Sequence, residues 1–149
     1  MSEVQVEIDI DAPPERVWDV IMDPDRLKEW VTIHRKLGKV SDHPLKQGST
    51  LEQGLTLRGA RFTVRWKLTE SDQPHRVRWQ GRGPARSRAD SSYELAAHDG
   101  GTRFRYCNEF KAPLGPLGAA ASRALMGGVP EREAQATLRR LKALVEEKS

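Results

Sequence analysis

The chain has a single cysteine, Cys107, among 149 residues, so it can form no internal disulfide and no cysteine cluster for zinc. It has no run of about 18 apolar residues, which excludes a membrane-spanning helix. Its start, Met1-Ser2-Glu3, carries no basic residue, and the first apolar residues alternate with polar ones; no signal peptide is expected, and the expected location is cytoplasmic. The four histidines, His34, His43, His75 and His98, show no metal-ligand spacing and no glutamate partner at a helical interval, so neither a metal nor any other cofactor is expected. Gly81-Arg82-Gly83-Pro84 leads into another strand rather than a helix, which argues against a phosphate loop. There is no serine elbow. Strand parity turns Cys107 away from the core, and no histidine pairs with it in the pattern, so a nucleophilic role is not expected. No repeat, low-complexity tract or composition shift divides the chain. At this length one domain, spanning 1–149, buries about two-thirds of its unfolded surface.

What the chain does contain is alternation. Val4, Val6, Ile8 and Ile10 alternate with Gln5, Glu7, Asp9 and Asp11 over residues 3–11, the mark of a strand with one wet face. Ala12-Pro13-Pro14-Glu15 stops that strand and suits a helix start. A short helix carrying Val17, Trp18, Val20 and Ile21 follows, and Asp23-Pro24 starts a second one carrying Leu27 and Trp30, with Asp23 as N-cap. Extended structure returns over 33–40, where the alternation is weak. Strands over 50–57, 60–69, 76–82, 86–96 and 102–110 then follow, separated by the turn clusters Ser71-Asp72-Gln73-Pro74 and Asp99-Gly100-Gly101.

The C-terminal segment is the only one long enough to be a long helix. From Pro130 onward, Ala134, Leu138, Leu141 and Val145 form an apolar stripe among charged residues. The preceding half, 117–126, is rich in alanine and offers little bulk. Between the halves, Gly127-Gly128-Val129-Pro130 must bend or restart the helix, because proline costs roughly 3 kcal/mol inside one. The order is therefore strand, two short helices, six strands, long helix. The fold class is α+β: a seven-stranded curved antiparallel sheet gripping a long, kinked C-terminal helix. Hairpin-connected strands leave no crossover helices for a parallel sheet. Such a sheet encloses more volume than an alanine-rich helix fills, so an internal cavity is expected.

The net charge is +4, with 17 arginines and 8 lysines spread over many segments. Arg65, Arg76, Arg78, Arg82, Arg103 and Arg105 fall on one sheet face, so an interaction module for an acidic protein or nucleic acid is one reading of the chain. The spread favours a solvated exterior, and no nucleic-acid partner is expected.

The residues Ile8 to Pro13, then Pro14-Glu15-Arg16-Val17-Trp18, Asp23-Pro24 and Leu27 to Trp30, resemble the opening of the polyketide cyclase/dehydrase-like members of the START-like (SRPBCC, helix-grip) superfamily. Gly101-Thr102-Arg103-Phe104 and the closing helix ending in Leu138 to Leu144 are similar to the same group. The resemblance implies a sheet gripping the last helix around a pocket for an apolar or aromatic small molecule. Relatives include lipid carriers, metabolite binders and aromatase/cyclases, so fold does not fix chemistry.

The expected function is binding of a hydrophobic or polycyclic, lipid- or polyketide-like molecule by a monomer or homodimer. The alternative is an aromatase/cyclase or dehydratase working through Gln53, Tyr106 and Asn108. Gln53, Ser91, Tyr106 and Asn108 draw attention because parity turns these polar groups inward, where an unpaired one costs about 1–3 kcal/mol. The candidate ligand-binding set adds Trp30, His34, Leu55, Phe62, Val64, Trp66, Trp79, Tyr93 and Phe104 from the sheet side, with Leu117, Ala121 and Leu125 from the helix. No catalytic residue is assigned.

Overall fold

The alternating segments become seven strands: β1 (Ser2–Ile10), β2 (His34–Val40), β3 (Thr50–Leu57), β4 (Ala60–Asp72), β5 (Arg76–Arg82), β6 (Arg88–His98) and β7 (Gly101–Lys111). The helices are α1 (Pro14–Ile21), α2 (Leu27–Trp30) and α3 (Val129–Glu146). This computed structural model describes residues 2–57, 59–111 and 129–147. The expectations for Leu117, Ala121, Leu125 and the alanine-rich half of the helix lie outside the described residues, as does the course of the chain into Val129.

All neighbouring strands are antiparallel, in the order β1-β7-β6-β5-β4-β3-β2. The first and last strands pair along their whole length, from Ser2 opposite Phe110 to Ile10 opposite Thr102. β1 and β2 are consequently the two edges, and α1 and α2 carry the chain from one edge to the other. The first short helix begins as its sequence dictates, whereas the second starts later than expected, at Leu27 after a 3-10 turn, with no side-chain cap of its own. Pro14 opens α1, and the Asp23 carboxylate accepts from the Asp25 backbone N–H at 3.1 Å, capping the 3-10 turn Pro24–Arg26.

Several strand ends differ from expectation by one residue, and two larger differences, in β4 and β6, have a visible reason. β4 runs on to Asp72 because a bulge near Thr69 restores pairing, placing Glu70 opposite Arg78 and Asp72 opposite Arg76. The turn therefore moves to residues 73–75. β6 starts at Arg88, since Pro84–Arg86 forms a 3-10 turn in which Arg86 adopts φ 66°. β1 ends at Ile10 rather than residue 11. The weak alternation of β2 also has a cause. Two register shifts against β3 leave His34, Leu37 and Val40 as its partly buried residues, a spacing of three instead of two.

The apolar stripe of α3 is buried as its periodicity predicts: Ala134, Leu138, Leu141 and Val145 are at most 8 % exposed. They join Ile10, Val17, Trp18, Val20, Ile21 and Phe104 in the core. α3 packs chiefly on β1 and α2, with a smaller contact to α1. Polar ties fix its seat. Lys142 Nζ donates to the Asp9 carbonyl at 2.8 Å, and the Asp11 N–H donates to the Glu146 carboxylate at 2.7 Å. The hydrogen bonds from Lys142 and from the Asp11 backbone hold the Glu146 carboxyl below the usual glutamate range. Nearer the N-terminus of α3, the Thr32 N–H donates to Thr137 Oγ1 at 3.0 Å and the Thr32 hydroxyl donates to the Glu133 carboxylate.

Leu141 is fully buried in this seat, so Leu141→Ala should cost about 2–5 kcal/mol. The exposed neighbour Arg139 should cost no more than about 0.5 kcal/mol when changed to alanine. Urea denaturation of both variants checks the seat of α3.

Candidate functional site

Strand register divides the sheet into two chemically different faces. The inner face carries Val4, Val6, Ile8 and Ile10 on β1 and Thr102, Phe104, Tyr106, Asn108 and Phe110 on β7. It continues through Ser91, Tyr93 and Leu95 on β6, Val77, Trp79 and Gly81 on β5, Phe62, Val64, Trp66 and Leu68 on β4, and Leu51, Gln53 and Leu55 on β3. α3 seals the part of this face near Ile10 and Phe104. Away from α3, Phe62, Trp66, Tyr93, Tyr106, Asn108 and Phe110 remain only half-buried. Inward aromatic rings with accessible surface are what a guest-binding face requires.

His34, Gln53, Trp66, Ser91 and Asn108 are each hydrogen-bonded to another candidate residue, whereas the buried Trp30 indole N–H has no partner among the described residues. The Trp66 indole N–H donates to Gln53 Oε1 at 3.0 Å, and Gln53 Nε2 lies 3.0 Å from His34 Nδ1. Indole nitrogen can only donate, so it fixes which end of the Gln53 amide it meets; the amide nitrogen, also only a donor, then makes His34 Nδ1 an acceptor. His34 is thus neutral, with its proton on Nε2. Burial also pushes its pKa down from 6.5. On the other side of the sheet, the Ser91 hydroxyl donates to Asn108 Oδ1 at 2.9 Å, and Ser91 also hydrogen-bonds Tyr106. Burial, partly offset by Ser91, raises the Tyr106 phenol to about 12, and burial raises Tyr93 as well, so both hydroxyls stay protonated at neutral pH.

The candidate residues therefore form two groups. His34, Gln53, Trp66 and their neighbours Leu55, Phe62 and Val64 lie on β2, β3 and β4; Ser91, Tyr93, Tyr106 and Asn108 lie on β6 and β7. Trp79 stands between them on β5. Trp66 and Ser91 are two strands apart, roughly 10 Å along the sheet.

Two members of the sequence-derived set stand back from this surface. Trp30 and Phe104 are at most 1 % exposed, because they sit in the core with Ile10, Val17, Leu138 and Leu141. They buttress Tyr93, whose ring lies 6.1 Å from Trp30 at 64° and 5.4 Å from Phe104 at 33°. They offer a guest no surface of their own.

Gly81 was not among the candidates, yet it seats Trp66. A Cβ there would lie 2.6 Å from the Trp66 ring and 2.8 Å from Val64. A glycine at an inward strand position after Val77 and Trp79 is the sequence signal for such a close approach. Among the described residues, no group of three histidine, cysteine, aspartate or glutamate side chains could hold a metal ion. No described helix is long and apolar enough to cross a membrane. The outer face carries an open depression of about 360 Å³ whose lining includes Glu3, Arg78, Asp90, Cys107 and Glu109. Its charged lining and shallow form suit solvent rather than an apolar guest, and burial and neighbouring carboxylates push the Cys107 thiol up, away from thiolate chemistry.

Against this geometry stand the likenesses to known proteins. A family model described as polyketide cyclase / dehydrase and lipid transport matches residues 1–146. The Mycobacterium tuberculosis protein Rv1546 is 29 % identical over 131 residues, covering 87 % of this chain and 92 % of its own length. A second M. tuberculosis protein, named toxin Rv0910, is 24 % identical over 133 residues, covering 88 % and 92 %. Among solved structures, the Zhui aromatase/cyclase from Streptomyces sp. R1128 superposes with a TM-score of 0.79 at 16 % identity, covering 99 % of this chain and 94 % of that one. At that identity the likeness shows the fold alone.

The His34 pair has a measurable consequence. A histidine whose folded pKa lies below its unfolded value takes up its proton less readily when folded, so stability is full above about pH 6.5 and falls as the pH drops through the folded pKa. His34→Gln should flatten the decline between about pH 7 and 5 seen in denaturation midpoints of the natural chain. Gln53→Leu, which strands both the Trp66 N–H and His34 Nδ1, should cost about 2–4 kcal/mol at pH 7.5.

Proposed function

The chain belongs to the polyketide cyclase / dehydrase and lipid transport family, and from that premise we propose that it binds an apolar, oxygen-bearing molecule of linked or fused rings in a cavity between the inner sheet face and the C-terminal helix. The observation that carries this reading is the half-buried set Phe62, Trp66, Tyr93, Tyr106 and Phe110, flanked by two groups of hydrogen-bonded side chains. A core closed on itself would bury those rings.

The leftover hydrogen-bonding capacity specifies the guest. With His34 Nδ1 occupied by Gln53, the free group of that ring is Nε2–H, a donor. With Asn108 Oδ1 occupied by Ser91, the free end of that amide is Nδ2, also a donor. Protonated Tyr93 adds a hydroxyl able to donate, while the Tyr106 proton is taken by Ser91, whose own proton goes to Asn108. Donors at both ends of an aromatic floor suit acceptor oxygens, such as ketone carbonyls or phenol ethers, spaced by roughly 10 Å or less across a flat skeleton. Trp66 and Phe62 supply the stacking surface, and the buried Trp79, Val64 and Leu55 back the floor.

Binding is the function assigned, in the cytoplasm and by a monomer or homodimer. Turnover would use the same donors: polarising a carbonyl while the walls fold a flexible chain needs no nucleophile. That cyclase reading is carried by the protonated Tyr106 hydroxyl beside Ser91 and Asn108.

Native mass spectrometry of the purified chain should show a retained small molecule. Titration with a polycyclic ketone should quench tryptophan fluorescence, with affinity falling about tenfold in Asn108→Leu and in Gln53→Leu, roughly one charge-neutral hydrogen bond each. A ring-matched hydrocarbon should lose less than about threefold in the same variants. Equal losses for both ligands, or no saturable binding of either, would refute the donor-lined site. Product formation that disappears in Tyr106→Phe while affinity stays would establish the cyclase reading.

A further inference from the structure

The outer sheet face shows two ways of placing charge, and the contrast between them is informative. Across the middle of the face, neighbouring strands alternate in sign: Glu7, Arg105, Glu94, Arg76 and Asp72 follow one another in register. This row is knit by ion pairs, Arg105 to Glu7 at 3.2 Å and Arg76 to Glu94 at 3.4 Å among them. Arg103 likewise meets Asp9 at 3.0 Å, and Arg78 meets Glu70 at 3.4 Å. With Arg65 facing Glu52, five of the six arginines that suggested an interaction face are held by adjacent carboxylates, and among the described residues only Arg82 is not.

Toward the β5–β6 loop the rule is broken. Arg65, Arg82, Arg88 and Lys111 stand directly opposite one another on β4, β5, β6 and β7. All four are exposed. Arg65 has Glu52 at 3.3 Å and Lys111 has Glu109 at 3.7 Å, while Arg82 and Arg88 have no carboxylate partner among the described residues. Exposed Arg61 on β4 and Arg86 in the loop extend the same edge. Like charges set opposite each other across strands oppose pairing, so this row works against the sheet that carries it. An external anion layer would offset the repulsion.

We infer that this basic row is a docking surface for an anionic lipid bilayer. Two features of the face select that occupant. All nine aromatic residues of the chain lie on the inner face or within the core, so the row has no ring on which single-stranded nucleic acid could stack. The row behind it holds Glu109, Asp90, Gln80 and Lys67, so it has no apolar anchor to desolvate, as the centre of a protein interface requires. A headgroup layer needs neither, only diffuse positive charge. The row also lies at the strand ends that carry Trp66, Gly81 and Phe110 on the opposite face. The choice of a bilayer rests on the proposed apolar guest, which membranes dissolve and water does not.

The test is co-sedimentation of the full chain with vesicles of pure phosphatidylcholine and of equal parts phosphatidylserine and phosphatidylcholine. Binding should appear only on the anionic vesicles and fall with added salt. Each basic residue near such a surface contributes roughly fivefold, so R82Q/R88Q should weaken partitioning roughly twentyfold. The same double variant should raise Tm slightly, by relieving repulsion. R139Q/R140Q removes equal charge from the exposed side of α3 and should change partitioning by less than about threefold. Equal losses in the two double variants, equal binding to both vesicle types, or tighter binding to polyglutamate or single-stranded RNA than to anionic vesicles would each overturn the inference. Ligand affinity measured without vesicles separates the two proposals. Retained ligand binding without vesicle binding sinks the docking surface alone, whereas binding to anionic vesicles that R82Q/R88Q weakens, without binding of any apolar ligand, sinks the guest site alone and keeps the docking surface.

Discussion

A sheet with one apolar face must hide that face from water, and in this chain the described helix hides only part of it. The stripe Ala134, Leu138, Leu141 and Val145 closes over Ile10 and Phe104 with the help of α1 and α2. Full burial of each large side chain there contributes on the order of 1.5–3 kcal/mol, enough for this end of the sheet to act as an anchor. The other end keeps its aromatic rings partly accessible. The described α3 packing thus anchors one part of this surface, and the proposed guest site lies on the other part.

That division explains the placement of polar groups. Inward Gln53 and Ser91 are buried and would be destabilising in an ordinary core. Each is instead matched to neighbours on adjacent strands, which satisfies the buried amide and hydroxyl groups. The pairing also immobilises the side chains. Gln53 is held from both ends by Trp66 and His34, and Trp66 is seated over Gly81, so the His34 ring is oriented by packing two strands away. Fixing donors before a ligand arrives lowers the ordering cost of binding.

Much of this was legible in the sequence, where period-two alternation placed β1, β3, β5 and β7 and their inward residues. The four-three-four step of α3 identified its buried stripe in full. What was not legible depends on register. Gln53 could be seen to face inward, but His34 and Trp66 are 19 and 13 residues away along the chain, and no local pattern names them as partners. β2 hid behind two register shifts, which convert alternation into a spacing of three. Phe104 read as a site residue because parity reports which face a side chain is on, and Trp30 because helical spacing does the same; neither reports how deep the side chain lies. The Thr32 contacts to Glu133 and Thr137 link segments about a hundred residues apart and left no trace in composition.

Charge on the outer face obeys the same logic at the level of whole rows. Composition gives a net charge of +4, a value too small to imply a polyanion partner, and the arginines are scattered along the chain. Register gathers them. One row alternates in sign and strengthens the sheet, and the next but two carries a single sign and strains it, although the same residue types build both. Since alternation was available at Arg82 and Arg88 for the cost of one glutamate on either strand, the unbalanced row is a feature that stability alone does not account for. It backs the open, aromatic end of the inner face rather than the end sealed by α3. The proposed guest site and the proposed docking row would then lie on opposite faces of one sheet, within one strand thickness of each other.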